Sequence, residues 1–299
     1  MKILLFGMNG QVGWELQRSL APLGELVALS GAGPNWCGDL RDVEGISATV
    51  RAVAPDIIVN AAAHTAVDKA ESEVDLCRLI NAQAPAVLAH EAARRGAWLV
   101  HYSSDYVFDG SGQRPWREND PVAPLSAYGR TKLEGEQAIE ASGCQHLILR
   151  TSWVYAARGA NFAKTMLRLA RERSELTVID DQLGAPTGAE LLADVTAHAV
   201  RRIVRQPELG GTYHVAASGQ TSWHGYASFV IDQARQAGVA LKVTPEAIRA
   251  VSSAAFPTPA PRPKNSRLDT HKLQQAFDLT LPHWQSGVSR MLTEILEKS

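Results

Sequence analysis

Tyr128 and Lys132 stand four residues apart in the stretch Ser126-Ala127-Tyr128-Gly129-Arg130-Thr131-Lys132. That spacing puts both side chains on one face of a helix, one turn apart. A phenol ordinarily titrates at about pH 10 and is a weak acid–base catalyst at neutral pH. An ammonium at about 4 Å, in an effective dielectric of about 20, favours the phenolate by roughly 4 kcal/mol, or about three pKa units before desolvation. The pair is common on solvated helix faces, so its meaning depends on what else the chain brings. A hydroxyl from Ser104 or Ser103, in Ser103-Ser104-Asp105-Tyr106-Val107-Phe108, would add a donor able to polarise a carbonyl. Serines at strand ends also cap turns.

The elements that must carry these groups can be read in order. Lys2–Phe6 is a continuous apolar run, expected as a buried strand. Gly7-Met8-Asn9-Gly10-Gln11-Val12-Gly13 follows, then a stretch at helical period from Trp14 to Leu20. Strand, glycine turn and helix are the context of a dinucleotide fingerprint: the backbone can approach a pyrophosphate, and the helix start offers free N–H groups and partial positive charge. Further strands are expected at 25–29, 56–60, 97–102, 146–150 and 212–215. Helices are expected at 43–53, 74–95, from Thr131 to about Ala141, at 161–173 and at 189–205. Ser103 and Ser104 then fall at the carboxyl end of a strand, where parallel α/β sheets bind ligands.

Composition is that of an ordinary folded protein: 299 residues, 45% hydrophobic and 20% charged. Thirty basic residues against 31 acidic ones give a formal charge of -1, which argues against nucleic acid or a membrane surface as partner. Cys37, Cys77 and Cys144 are far apart and form neither a zinc pattern nor a disulfide framework. The first apolar run is too short for a signal peptide or a membrane helix, so a cytoplasmic protein is expected.

The G-x-x-G-x-x-G spacing is similar to that of the extended short-chain dehydrogenase/reductase superfamily. In such a site the end of the second strand meets the adenosine ribose. Ser30 stands there in place of the acidic residue typical of NAD-selective sites, which predicts acceptance of NADPH, with NADH as the alternative. Asp39 and Leu40 would lie near the adenine. His64, in Ala61-Ala62-Ala63-His64-Thr65, has no carboxylate or cysteine at ligand spacing and is expected to support the backbone. Phe256 to Pro263 is proline-rich and extended, either a loop facing substrate or a linker.

Taken together, the chain resembles the dTDP-4-dehydrorhamnose reductase family. The resemblance rests on the glycine turn with Trp14-Glu15-Leu16, on Asn60 to Asp68, on Ser103 to Phe108, and on Tyr128 with Lys132. It extends through Arg150 to Tyr155, Gly184-Ala185-Pro186-Thr187 and Arg262 to Leu268. It implies an α/β fold: a doubly wound, Rossmann-like parallel sheet (residues 1–166 and 194–216) with a smaller, mostly helical substrate domain of discontinuous segments (167–193 and 217–299). It implies reduction of the C4 ketone of dTDP-4-dehydro-L-rhamnose, with Tyr128 as proton donor, Lys132 on the nicotinamide ribose and Ser104 on the ketone. The family usually carries threonine at that last place, and Ser104 keeps the hydroxyl without the methyl that restricts its rotamer. Gly7, Gly10, Gln11, Val12, Gly13, Ser30, Asp39, Leu40, Ala63, His64, Thr65, Tyr102, Tyr128 and Lys132 are implied cofactor contacts. Val67, Ser104, Asp105, Tyr106 and Trp153 are implied sugar contacts. Some members dimerise through a magnesium ion held by glutamates, which implies Glu15, Glu190 and Glu294 as ligands of a homodimer.

Two rival readings remain. A nucleotide-sugar epimerase or dehydratase shares the superfamily, but a dehydratase typically has Asp followed by Glu where this chain has Asp105-Tyr106. A non-catalytic subunit, like the regulatory subunit of methionine adenosyltransferase, would have no need of Ser104, Tyr128 and Lys132 together.

Overall fold

The computed structural model describes all residues except Ala32, Pro34, Lys298 and Ser299. Five strands, β1 (Lys2–Phe6), β2 (Glu25–Leu29), β3 (Ile57–Asn60), β4 (Trp98–Ser104) and β5 (Gln145–Thr151), join the strand Gly211–His214 in one sheet. The spatial order is β2-β1-β3-β4-β5 and then Gly211–His214, every pairing parallel. Strand side chains alternate between faces, and the sheet is covered on both. Ile3 and Leu5 pack with Leu16, Leu20, Leu192 and Val195 from the helices Gln11–Leu20 and Ala189–Ile203. Leu4, Phe6, Ile58 and Leu99 pack on the opposite face with Val50, Leu88 and Ile139, from the helices Val43–Val53, Ala84–Arg95 and Ala127–Ala141. The order reverses between β1 and β3, so the loops leaving these two strands diverge and leave a crevice at their carboxyl ends.

A second body is built from the helices Phe162–Glu172, Trp223–Gln236 and Trp284–Leu296. Tyr155, Leu167, Tyr226, Val230, Trp284 and Val288 form one of its clusters, and Met166, Val178, Ile231 and Ile248 a second. Strands Leu176–Ile179 and Ile248–Val251 pair in parallel at its edge, beside the helices that make up most of it. The expected boundary at residue 166 has to move. Phe162–Glu172 packs as one amphipathic unit in the second body, while Leu273, Phe277 and Leu281, expected there, pack in the core of the main sheet.

Two helices differ from expectation. Val74–Arg95 is interrupted by a π turn at Leu79–Gln83, the kind of bulge found at functional sites. The helix expected from Thr131 starts at Ala127, because Ser126 caps it by accepting from the Gly129 N–H at 3.1 Å. Tyr128 therefore sits in the first turn, fixed by the cap.

Candidate active site

The glycine turn leaves β1 with Gly7 at φ +86, and the Gly7 and Met8 N–H groups donate to the Leu29 carbonyl at 3.2 and 3.1 Å. The three glycines are there for different reasons. A Cβ on Gly7 would lie 2.7 Å from the Ala62 nitrogen, and one on Gly13 would overlap the Gly7 carbonyl, so both are demanded by the protein's own packing. A Cβ on Gly10 would meet only the Gly7 oxygen, at 3.4 Å. No side chain caps the helix Gln11–Leu20 that starts there, and the Gln11 Oε1 is buried without a hydrogen-bond partner. An open backbone cradle at a helix N-terminus fits the phosphates of a dinucleotide. Gly10→Ala is accordingly expected to leave the unfolding midpoint near that of the parent while weakening dinucleotide binding at least about tenfold, about 1.4 kcal/mol. Gly13→Ala is expected to lower the midpoint itself. Titration by cofactor fluorescence alongside thermal melts checks both.

At the end of β2, Gly38 packs against the Ser30 carbonyl, bringing the buried Leu40 and Asp39 back towards that strand. The Asp39 carboxylate accepts from the Arg41 guanidinium at 2.6 and 3.0 Å. The hydrogen bonds from Arg41 hold its pKa below the usual carboxylate range. Ala63, His64 and Thr65 follow β3. His64 differs from expectation in having a carboxylate partner, Glu73, at 3.2 Å. Its backbone is gripped on both sides by the Asn81 amide, which accepts from the His64 N–H at 2.9 Å and donates to the His64 carbonyl at 3.0 Å. Asn81 is delivered by the π turn.

Ser104 ends β4. Its hydroxyl donates to Asp105 Oδ1 at 3.0 Å and accepts from the Tyr106 N–H at 3.2 Å. Tyr128 arrives beside it because Gly129, on the inner face of the helix, lets the backbone press on the Tyr106 carbonyl where a Cβ would overlap. The rings of Tyr106 and Tyr128 meet edge to face, with centroids 5.4 Å apart. Gly129 was not singled out in the sequence; its signal is a glycine inside an otherwise good helix.

The electrostatics depart from the expected pairing of ammonium and phenol. Burial pushes the Tyr128 phenol well above its ordinary value, with the Ser104 hydroxyl acting in the opposite direction. Lys132 is buried (1% exposed) and its Nζ donates to the Tyr102 carbonyl at 2.6 Å, with the His101 Nε2 at 3.1 Å. Burial brings the Lys132 amine down to about 8. In this geometry the two groups do not make the tyrosine more acidic. Tyr102 contributes its carbonyl; its phenol is taken by Thr196 at 2.6 Å on the far face of the sheet.

Asp105 is 2% exposed, and burial pushes its carboxyl up to about 6, with the Ser266 and Ser104 hydroxyls acting in the opposite direction. Beyond it opens a cavity of about 380 Å³ lined by Tyr106, Trp153, Trp223, Arg262, Pro263 and Ser266, among others. Trp153 has φ +50 and stacks on Trp223 with centroids 3.7 Å apart. Val67, Ser104 and Asp105 do not line this cavity. Phe256 and Pro263 do, so the proline-rich passage is a docked loop. Arg262 anchors it by a bidentate pair with Asp68, at 2.7 and 3.0 Å, across from the segment after β3.

Of the glutamates implied as metal ligands, Glu15 and Glu190 lie close enough for the charge of Glu15 to act on Glu190. Glu15 lies near Arg18 (3.6 Å) and Glu190 near Arg290 (3.5 Å), and among the described residues no group of three His, Cys, Asp or Glu side chains is placed to hold a metal. No helix among them is long and apolar enough to cross a membrane.

Residues 1–297 match the family model described as RmlD substrate binding domain. The chain is 59% identical over 295 residues to a dTDP-4-dehydrorhamnose reductase of Salmonella typhimurium, covering 99% of this chain and 98% of that one. It is 45% identical over 302 residues to the enzyme of the same name from Burkholderia thailandensis, covering 100% of both. Its fold superimposes on the crystal structure of dTDP-4-dehydrorhamnose reductase from Bacillus anthracis in complex with NADP, with a TM-score of 0.86 at 33% identity over 98% of this chain and 99% of that one. The chain belongs to the dTDP-4-dehydrorhamnose reductase family.

Proposed function

We propose that this protein reduces the C4 ketone of dTDP-4-dehydro-L-rhamnose to give dTDP-L-rhamnose, the last step in making that sugar nucleotide for cell-surface polysaccharide. The observation that carries the reading is the convergence of Ser104, Tyr128 and Lys132 at the carboxyl end of β4, between the glycine turn and an aromatic cavity. A bound nicotinamide cofactor supplies the hydride. Gly7 to Gly13, Ser30, Asp39, Leu40 and Ala63 to Thr65 hold it, and Lys132 takes its ribose. NADPH is the expected form: Ser30 carries no charge, and the Asp39 carboxylate is paired with Arg41.

The Ser104 hydroxyl polarises the ketone, and Tyr128 gives its proton to the oxygen as the alkoxide forms. A phenol made less acidic by burial suits that direction. It stays protonated through neutral pH, and a secondary alkoxide is far more basic than a phenolate. Tyr106 and Trp153, which line the cavity, supply the apolar face of the deoxysugar site. The reaction is cytoplasmic, where the soluble nucleotide sugar is available.

Mixing the purified protein with NADPH and dTDP-4-dehydro-L-rhamnose is expected to bleach the reduced cofactor with formation of dTDP-L-rhamnose. No oxidation with any 4-keto nucleotide sugar, despite intact cofactor binding, would transfer the protein to a non-catalytic binding role. An epimerase would instead convert its substrate without net loss of reduced cofactor.

A further inference from the structure

Sequence patterns single out Asp39 and Leu40 but not Arg41, which stands with them at the edge of the proposed dinucleotide cleft. The Gly7 and Met8 N–H groups donate to the Leu29 carbonyl at 3.2 and 3.1 Å. That ties the glycine turn to the last residue of β2 and puts Ser30 next in the chain. A Cβ on Gly38 would overlap the Ser30 carbonyl, so the chain returning at 38–41 runs directly against this strand end. The returning segment is held in place. Thr49, in the helix Val43–Val53, accepts from the Cys37 N–H at 2.9 Å and donates to the Cys37 carbonyl at 3.0 Å. Leu40 is buried, and Asp42 caps the same helix by accepting from the Gly45 N–H at 2.8 Å. Arg41 projects from between these fixed points. Its side chain is 65% exposed, yet its head is aimed. Asp39 Oδ1 accepts from the Arg41 backbone N–H and from Nε, each at 3.0 Å, and Oδ2 accepts from Nη2 at 2.6 Å. These contacts occupy the Nε edge of the guanidinium, and Nη1 has no partner among the described residues.

We infer that Arg41 selects the phosphorylated form of the dinucleotide, its guanidinium receiving the 2′-phosphate of the adenosine ribose beside Ser30. The inference rests on the reductase reading for the presence of a nicotinamide dinucleotide, and adds which side chain reads it. The ribose 2′ position is where a parallel α/β site separates the two cofactors. A carboxylate at the end of the second strand accepts from a 2′-hydroxyl, whereas a nearby arginine takes a 2′-phosphate. Ser30 brings no charge to oppose the phosphate. A phosphomonoester carries a charge of about -1.5 to -2 at neutral pH, and its oxygens match the guanidinium fork two at a time. Asp39 does not cancel this attraction. An exposed ion pair holds its cation weakly, and a guanidinium already restrained by Asp39 loses less rotamer freedom when the ligand arrives. Asp42, the next carboxylate in the segment, is turned to its helix cap.

Equilibrium binding to the full-length protein tests it, with NADPH and NADH followed by cofactor fluorescence and displaced by adenosine 2′,5′-bisphosphate or by 5′-AMP. The parent is expected to bind the 2′-phosphorylated member of each pair at least about tenfold more tightly. In Arg41→Ala that preference is expected to vanish or invert, because Asp39 is then left uncompensated beside the ribose. The unfolding midpoint should stay near that of the parent, since the side chain removed is mostly exposed. Arg41→Lys, which keeps a charge without the fork, should retain part of the preference. Added salt should erode the parent's preference and leave the ratio in Arg41→Ala unmoved, as a contact between charges at an exposed site requires. An equal preference in parent and Arg41→Ala overturns the inference, as does a parent that binds NADH as tightly as NADPH. If neither cofactor binds, the inference and the reductase reading fall together. If both bind with the expected ratios but the keto sugar is not reduced, the reductase reading falls alone and the assignment of Arg41 stands.

Discussion

Tyr128→Phe is expected to lower kcat by about 10²–10⁴-fold, the usual worth of a positioned general acid, with the dissociation constant for NADPH changed by less than about twofold, under 0.5 kcal/mol. The phenyl ring keeps the edge-to-face contact with Tyr106, so the helix start and the cap at Ser126 should persist and only the proton is lost. Because burial pushes the Tyr128 phenol above its ordinary value, the parent enzyme should show no loss of activity from ionisation of this acid as pH rises through neutrality. A variant with near-normal kcat would remove the tyrosine from the reaction; a parent profile that falls between pH 6 and 8 and is flattened in Tyr128→Phe would instead show the phenol ionising near neutrality and overturn the effect of burial on it.

Glu136→Gln should be the most damaging single change to stability. Arg150 and Glu136 are 5% and 1% exposed, and the guanidinium meets both carboxylate oxygens, with its shortest contact at 2.6 Å. Its remaining contacts are the Glu118 carbonyl at 3.3 Å and the ring of Phe108 beneath it. Removing one charge strands the other in the interior, which typically costs about 3–5 kcal/mol. Urea unfolding followed by circular dichroism measures it. A loss under about 1 kcal/mol would mean that water reaches Arg150 and that the pair is not buried in solution.

What could be read from the chain beforehand divides by how local the cause is. The glycine turn, the strand before it and the Tyr128–Lys132 spacing depend on neighbours within a dozen residues, and each is visible as a pattern. The outward role of Gly10 and the inward roles of Gly7 and Gly13 look the same in sequence, because what separates them is whether Ala62 or the turn's own carbonyl lies behind the missing Cβ. His101 read as one more strand residue. Its contacts come from a register with Asn60, 41 residues away, and from a helix that arrives later still. Asn81 gives no hint of a π turn by periodicity; it is recognisable only once the His64 backbone is seen between its oxygen and nitrogen. The edge pair Leu176–Ile179 and Ile248–Val251 joins two short segments that lie far apart in the sequence.

Trp153 and Gly184 are bound to a common fate. The indole lies across the glycine so closely that a Cβ there would be 2.7 Å from the ring, so any side chain at 184 must evict it from its place over Trp223. Losing the tryptophan first would remove that constraint and leave a slot beside the second indole that a larger residue at 184 could fill. Redesign of this pocket for another sugar therefore has an order built into it: position 153 must change before position 184 is free to follow, and a library that varies the second alone will return misfolded pockets and no new specificities.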